Sequence, residues 1–164
     1  MIAKQHKCHI QKIVSGGQTG VDRAALEAAS INGIETGGWC PKGRLAEDGT
    51  IPLKYPMKET SSPVYAVRTR KNIADSDGTL ILCGTALKGG TALTAKLAEK
   101  INKPLFIVDL SQPCDLEKLK VWMQTNHIAI LNVAGPRESA TRGIYEEARR
   151  FICDLLDHCQ SQSD

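Results

Sequence analysis

The sequence predicts an α/β domain with a mainly parallel sheet and helices on both faces of that sheet. Short apolar runs alternate along the chain with longer segments of helical periodicity. The apolar runs in the second half are continuous, which is typical of strands buried on both faces. Right-handed crossovers between such strands give a doubly wound, Rossmann-like sheet. A length of 164 residues suits one domain, so we predict a single domain over residues 1–164.

The first elements are a strand, a helix and a second strand. Residues 10–14 predict a short buried strand, and residues 20–32 predict a helix that its alanines keep slim. Asn32 and Gly33 end this helix, because both residue types favour the conformation that follows a helix. Residues 34–36 are predicted to form a very short strand.

Residues 37–63 are the irregular part of the chain, with glycine, proline and charge and no clear period. A loop of this length in a small domain is usually functional or disordered. Its larger side chains favour an ordered loop, and they are Trp39, Ile51, Tyr55 and Met57. A strand is expected at residues 64–67 and a short helix at residues 69–76.

The second half of the chain shows the alternation most clearly. Three apolar strands are predicted, at residues 78–83, 104–109 and 128–133. Three helices are predicted to alternate with them, at residues 91–102, 116–126 and 139 to about 158. The two ends of the chain are expected to be flexible tails, over residues 1–9 and 160–164.

Composition and charge exclude several classes of protein. The net charge is only +3 and lysine and arginine are spread along the chain, so no nucleic-acid partner is expected. No apolar run reaches membrane-spanning length and none has the pattern of a signal peptide. We therefore expect a cytoplasmic protein with no membrane partner, whose six cysteines are free thiols.

The sequence does not predict a metal site. It has no CxxC pair and no HExxH motif, and Cys8 beside His9 is the only suggestive pair. A zinc site needs about four ligands, so this pair is better explained as part of a plain tail. A P-loop nucleotidase and an α/β-hydrolase are also disfavoured, because neither the Walker A pattern nor the GxSxG elbow occurs.

Loops at the carboxyl ends of the strands are the candidate site, because ligands of parallel sheets bind there. Glycines let the backbone approach an anion, and the amides at a helix start can bind it. The first such loop and its helix start are expected to contribute Gly16, Gly17, Gln18, Thr19, Asp22 and Arg23. In the alternative interpretation the glycines serve only a tight turn, Asp22 complements the helix dipole and Arg23 faces solvent.

Two further strand-end loops are expected to join the same site. The expected contacts are Gly89, Gly90 and Thr91 in one loop and Gly135, Arg137, Glu138 and Ser139 in the other. Thr91 and Ser139 are also placed to cap the helices that follow. Alternatively, Thr91 is purely a cap, and Arg137 and Glu138 form a surface ion pair.

The irregular segment adds charge, an aromatic ring and a thiol. Lys42 and Arg44 are expected to neutralise a phosphate, and Trp39 is expected to form a wall for a flat ring. Cys40 is expected to be an inert thiol rather than a soft-metal ligand, because no second soft ligand lies near it in sequence. A β-branched residue at Gly17 is expected to harm anion binding more than stability.

The first loop matches the dinucleotide-binding fingerprint only in part. Gly17 and Gly20 fit its second and third glycines, but Ser15 stands where the first is expected. Glu35 is expected near the end of the second strand, in the place of an acidic ribose ligand. The incomplete match disfavours an NAD-dependent oxidoreductase.

Five segments, taken in order, resemble a known family. They are SGGQTGVDRAALEAA (15–29), GGWCPKGRLAEDG (37–49), YAVRTRKNIADSDGTLIL (65–82), GGT (89–91) and LNVAGPRES (131–139). Together they resemble the molybdenum carrier proteins, which bind molybdenum cofactor. That family is similar to a wider Rossmann-like superfamily, which includes the lysine-decarboxylase-like phosphoribohydrolases and the DNA-processing protein A fold.

The resemblance implies a carrier that binds a molybdopterin-type, phosphate-bearing ligand without a covalent link, to store it or deliver it to molybdoenzymes. It also implies a homo-oligomer, a dimer or a tetramer, and no other cofactor. The related enzymes use a PGGxGTxxE loop, and residues 89–94 lack its glutamate, which favours a carrier over an enzyme. The alternative is a nucleotide sensor or a nucleoside monophosphate phosphoribohydrolase-like hydrolase, with Asp22 or Glu138 as the acid–base group.

Overall fold

Five parallel strands form the central sheet in the computed structural model, which describes residues 8–161. In chain order the elements are β1 (Lys12–Val14), α1 (Val21–Ile31), β2 (Glu35–Gly37), β3 (Trp39–Cys40), β4 (Leu45–Ala46), β5 (Gly49–Thr50), β6 (Lys58–Glu59), α2 (Tyr65–Ala74), β7 (Gly78–Cys83), α3 (Gly89–Lys100), β8 (Leu105–Asp109), α4 (Leu116–Thr125), β9 (Ile130–Ala134) and α5 (Ile144–Gln160). The strand order across the sheet is β2-β1-β9-β7-β8. The predicted doubly wound, Rossmann-like α/β fold is confirmed.

Alternate residues of the central strands point to opposite faces, and both faces are covered. Leu80 of β7 and Leu131 of β9 point into the larger core, which lies under α1, α4 and α5. Ile81 and Cys83 point to the other face and pack with Ala95 of α3. The helix α2 packs beside α3. Burial on both faces is why β7 is a continuous apolar run rather than an alternating one.

The helix α1 packs closely against α5 because one side of it is built from alanine. Ala24, Ala25, Ala28 and Ala29 are all fully buried, and α1 and α5 contact each other along the larger core. Fully buried aliphatic residues of α5, such as Ile152 and Leu155, fill the space that the small side chains leave. Each of these larger residues contributes roughly 1.5–3 kcal/mol through burial.

The predicted strand at residues 64–67 is wrong, because α2 already begins at Tyr65. Val64 is the extended residue before the helix, with φ −71° and ψ 122°. The buried residues of α2 are Thr69, Asn72 and Ile73, which are spaced by three and four as on one helix face. The valines and the tyrosine at the start have high strand propensity, but tertiary packing overrides it.

Glu35 is not at the carboxyl end of β2 but is its first residue. Its carboxylate accepts a hydrogen bond from Lys12 Nζ at 2.6 Å, across the β1–β2 pair. The expectation that Glu35 occupies the place of a ribose ligand is therefore wrong. The two residues form a partly exposed ion pair at the amino end of the sheet.

The irregular segment is ordered and forms two small pairs of strands. β3 pairs with β6 in parallel, and β4 pairs with β5 in an antiparallel hairpin. A separate small core of Leu26, Cys40, Ile51 and Tyr55 fixes the segment to α1. The segment can therefore hold polar side chains against the strand-end loops.

None of the helices in the described part of the chain is long and apolar enough to cross a membrane. The predicted flexible tails fall largely outside the described residues, in the ranges 1–7 and 162–164. Gln160, which was expected to begin the second tail, is the last residue of α5.

Candidate functional site

A cavity of about 280 Å³ opens at the carboxyl ends of β7 and β9. Its wall comes from the loops after β1, β7 and β9 and from the first turns of α2 and α3. The predicted residues that lie in the wall are Gln18, Asp22, Gly89, Gly90, Thr91, Gly135 and Arg137. The strand-end rule for parallel sheets brings these residues together from distant parts of the sequence.

Other predicted residues lie outside the cavity wall, and they are Gly16, Gly17, Thr19, Arg23, Lys42, Arg44, Glu138 and Ser139. Lys42 is exposed on the irregular segment. Most of the others are bonded within the chain in ways that organise the loops, as described below. Their contact with a ligand stays a prediction.

The start of α3 is the part of the wall best suited to an anion. Lys88 is the residue before the helix, in extended conformation, and no side chain caps the helix. The amides of Thr91 and Ala92 both bond to the Lys88 carbonyl, so the first turn closes only from Thr91 onwards. The preceding residues, Gly89 and Gly90, line the cavity at the positive end of the helix dipole, where the amides of a helix start have no partner within the helix. Thr91 is the third helical residue, so the prediction that it caps α3 is wrong.

Positive side chains outnumber negative ones in the cavity wall. Arg68, Lys88 and Arg137 stand against a single carboxylate, that of Asp22. Arg68 Nη1 lies 3.7 Å from Asp22 Oδ2, and both side chains are largely buried. Arg137 is paired at 3.8 Å with Glu47, which lies outside the wall, whereas Lys88 has no carboxylate of the wall beside it. The side chains of the wall itself carry a net positive charge, which favours an anionic ligand.

Arg68 lies against the backbone of the first loop. A side chain at Gly16 would overlap its guanidinium, so this glycine allows Arg68 to approach the first loop closely. The guanidinium also stands 5.7 Å from the centre of the Tyr65 ring. Arg68 Nε is buried without a hydrogen-bond partner, the one such side-chain atom in residues 8–161. The Arg68 side chain thus lines the cavity with one buried N–H group that has no partner among the described residues.

Asp22 is a buried carboxylate at the base of the cavity. Burial raises its pKa, and this effect is opposed by the Arg68 charge and by hydrogen bonds from the amides of Gln18 and Gly16. Arg23 opposes it more weakly. Asp22 thus organises the first loop from inside, which goes beyond the helix-dipole role considered from the sequence.

The amides of the first loop already have partners within the chain. Gly17 N donates to Ser15 Oγ at 3.3 Å, and Gln18 N donates to Asp22 Oδ2 at 3.2 Å. Thr19 N donates to the side-chain oxygen of Gln18 at 3.0 Å. An anion at this loop would have to displace these bonds, so the geometry favours the start of α3 instead.

Gly17 has a positive φ of 74°, and a β-carbon there would lie 2.9 Å from Ile51 Cδ1 and 3.3 Å from Met57 Cε. A β-branched residue would therefore strain the backbone and collide with the irregular segment. The expectation that such a change acts on binding more than on stability is therefore revised, because the structure predicts a cost to the fold as well.

Glu47 ties the irregular segment to two strand-end loops at once. Its carboxylate accepts hydrogen bonds from the hydroxyls of Thr19 and Ser139, and Ser139 N also donates to it at 3.2 Å. Arg137 Nε lies 3.8 Å from the same group. The hydrogen bonds from Ser139 and Thr19 are the main cause of a lowered pKa at Glu47. The sequence did not single out this residue, because its partners are 28 and 92 positions away.

Two arginines that were assigned to ligand binding support the same segment. Arg23 makes a two-point ion pair with Asp48, at 2.5 and 2.7 Å, and donates to the Gly17 carbonyl at 3.0 Å. Arg23 therefore does not simply face solvent. Arg44 donates to the carbonyls of Ile51, Pro52 and Tyr55, at distances of 2.8–3.1 Å. These bonds give Arg44 a structural role within the loop.

Glu138 caps the last helix. Its carboxylate accepts the amide of Gly143 and, at 3.0 Å, the amide of Tyr145. This is why α5 begins at Ile144 and not at residue 139, so the prediction that Ser139 caps it is wrong. With both carboxylate oxygens bonded, Glu138 is a poor acid–base group for a ligand in the cavity.

The aromatic ring in the cavity wall is Tyr65 and not Trp39. Trp39 Nε1 donates to Asp75 at 2.7 Å, and Lys71 Nζ stands 4.1 Å from the centre of its ring. Cys40 is fully buried in the small core, and burial raises the pKa of its thiol. This environment keeps the thiol neutral, in line with the inert role expected for it.

Several wall residues were missed by the sequence reasoning, and they include Tyr65, Arg68, Thr69, Lys88, Leu93, Thr94 and Thr141. Tyr65 and Arg68 were missed because the start of α2 was taken for a strand. The helical spacing of the buried residues of α2 was the available signal. Lys88 lies directly before the two glycines of the second loop and is recognisable from that position alone.

The fold and the cavity together define a class: parallel α/β proteins that place a glycine-containing helix start at the centre of a strand-end cavity. The sequence model of the circularly permutated YpsA SLOG family matches residues 13–156, and the chain belongs to this family. A crystal structure of a "Putative molybdenum carrier protein" from Syntrophus aciditrophicus SB is 45% identical to the chain. The match covers 94% of this chain and 97% of that one, with a TM-score of 0.85. The resemblance drawn from the five motifs is thereby confirmed. A comparison with curated proteins gave no match.

Proposed function

We propose that the chain binds a molybdopterin-type, phosphate-bearing molecule in the cavity, without a covalent link, for storage or delivery. The observation that carries this proposal is the uncapped start of α3. Its Gly89 and Gly90 lie in the wall of a cavity that also holds Arg68, Lys88 and Arg137. Backbone amides at a helix start and nearby cations are the groups that bind phosphate in proteins. The name of the 45% identical relative, a molybdenum carrier, supports the choice of ligand.

The size and the lining of the cavity fit such a ligand. A volume of about 280 Å³ is close to the lower end of the range for small-molecule sites, roughly 300–1,000 Å³. The phosphate would lie at the start of α3, between Lys88 and Arg137. Tyr65 and Leu93 offer a flat, apolar surface on which a pterin ring can rest.

The polar groups of the site favour binding over hydrolysis. Glu138 is engaged by two amides of the α5 start. Asp22 is buried and is held by Arg68 and by the first loop. A nucleoside monophosphate has the same phosphate and a similar flat ring, so a nucleotide-binding sensor is the second candidate. Delivery would need a molybdoenzyme as acceptor, and the homo-oligomer expected from the resemblance is part of the same proposal.

Native mass spectrometry tests the proposal directly. The chain is purified in parallel from a host that makes molybdenum cofactor and from one that cannot make molybdopterin. We expect a retained mass equal to the cofactor or its molybdenum-free form in the first preparation and its absence in the second. A retained nucleotide in both preparations would support the second candidate. No retained mass, together with no thermal shift on adding the cofactor, would contradict the proposal.

A further inference from the structure

Two cysteine thiols meet at the edge of the sheet opposite the cavity. Cys8 Sγ lies 2.8 Å from Cys159 Sγ, although the residues are 151 positions apart. Cys8 precedes β1, and Cys159 lies in the last turn of α5. Both positions are at the amino-terminal edge of the parallel strands. The pair is therefore separate from the ligand cavity.

The two thiols differ in their access to solvent. Cys8 is half-buried and lies in the wall of a second cavity, of about 200 Å³. Other residues in that wall include His9, Met123 and His127. Cys159 is only 8% exposed and is not part of the wall. One thiol can thus meet a small molecule, while the other lies directly behind it.

The surroundings make Cys8 the more acidic thiol of the pair. A hydrogen bond from the Cys159 thiol and the nearby Lys120 charge lower the pKa of Cys8, against the effects of burial and of Glu117. Lys120 is buried, with its Nζ 3.9 Å from Glu117 Oε2. His158 Nε2 lies 2.9 Å from the same Glu117 oxygen. The pKa of the Cys159 thiol is raised by its hydrogen bond to Cys8 and by its burial.

We propose that Cys8 and Cys159 form a thiol–disulfide exchange site for small-molecule disulfides that enter the second cavity. The Cys8 thiolate attacks one sulfur of the disulfide, forms a mixed disulfide and releases the other half as a thiolate. Cys159 then loses its proton to that leaving thiolate or to water. Its sulfur attacks Cys8 Sγ, closes the intramolecular disulfide and releases the second half. The external disulfide gains the two electrons that the two protein thiols lose.

The bond would join the beginning and the end of the described chain. Because it closes a very long loop, it removes much of the conformational freedom of the unfolded state. We therefore expect the oxidised form to melt several degrees above the reduced form. The two sulfurs are 2.8 Å apart, so they need to move by only about 0.8 Å to reach bonding distance.

The experiment uses the reduced full chain and oxidised glutathione as the probe. After incubation, the free thiols are alkylated and counted by intact mass spectrometry. We expect the count to fall from six to four, and a peptide map to show a Cys8–Cys159 cross-link. Cys159→Ser should accumulate glutathione on Cys8, because the resolving thiol is gone. Cys8→Ser should lose no thiols to an internal bond.

Cys114→Ser is the matched control, because Cys114 is similarly half-buried but lies outside the wall of the second cavity. This variant should lose two thiols as the wild type does. The proposal is overturned if the wild-type chain keeps glutathione on Cys8 without forming the internal bond. It is equally overturned if a different pair of cysteines is cross-linked, or if the thiol count stays at six in the folded chain while the denatured chain reacts.

Discussion

The replacement Gly90→Ala separates ligand binding from stability. Gly90 is the second residue of α3, it does not have a positive φ, and an added methyl group would have no atom within 4 Å. The methyl group would therefore enter the cavity without disturbing the fold. Alanine is also the better helix former, by roughly 0.5–1 kcal/mol. The melting temperature should stay level or rise by up to about 4 °C, since 1 kcal/mol moves it by about 2–4 °C in a domain of this size.

The affinity for the ligand should fall, although the melting temperature of the free protein does not. The methyl group occupies space that an anion needs to reach the amides of Gly89 and Gly90. A hydrogen bond to a charged group contributes about 1.5–3 kcal/mol, so its loss should weaken binding about 10- to 150-fold. The assay is titration of the cofactor, and of inorganic phosphate as a minimal probe, with the melting temperature as readout.

Gly84→Ala is the control for this experiment. Gly84 also has open space around it and lacks a positive φ, but it is not in the cavity wall. It should bind as the wild type does. If Gly90→Ala folds normally and gains as much thermal stability from the ligand as the wild type, the start of α3 is not the anion site.

Three further changes test how the cavity is supported. Glu47→Gln should lower the melting temperature above about pH 4.5, because the lowered pKa of Glu47 adds stability above its ordinary value of 4.5 and loses it as the pH falls through the folded value. Thermal scans between about pH 3 and pH 7, a range that includes the ordinary pKa of a glutamate carboxyl, should show a shallower pH dependence for the variant, and parallel curves would contradict this role. Gly17→Val should destabilise the fold by about 1–3 kcal/mol through its positive φ, and an unchanged denaturant midpoint would refute the assignment. Arg68→Met should destabilise by about 3 kcal/mol because Asp22 is left buried without its ion pair. That loss should grow as the pH rises and should shrink when Asp22→Asn is added; a loss that is independent of pH would argue against the pair.

The sequence was a good guide wherever the backbone alone decides the outcome. The strands predicted at residues 78–83 and 104–109 are continuous apolar runs that begin at a glycine and a proline, so their position and parallel arrangement followed from the pattern. Parallel strands end at a common edge of the sheet. The sequence therefore predicted correctly that Gly90 and Gly135 lie at one site. Strong local signals, combined with one topological rule, were sufficient for this part.

The rest depended on side chains that meet across long distances. Ser15 Oγ and the Asp22 carboxylate accept hydrogen bonds from amides of the first loop. No pattern of residue types predicts the rotamers that allow these bonds. Glu47 joins loops that are far apart in sequence. Arg68 was missed for a different reason. The residues at the start of α2 have high strand propensity, so a strand was predicted where the helix begins. Local propensity failed there because packing against α3 and β3 outweighs it.

The position of β9 in the sheet has a consequence for synthesis. β9 pairs with β1 on one side and with β7 on the other, and β1 and β7 do not pair with each other. When only the residues before 130 have left the ribosome, the strands of the central sheet that are available are β1 with β2 and β7 with β8. These two pairs have no strand in common. The last strand joins them, and the cavity forms at its end. A chain interrupted just before β9 would therefore lack both a continuous sheet and a place for the ligand, however well each half folds alone.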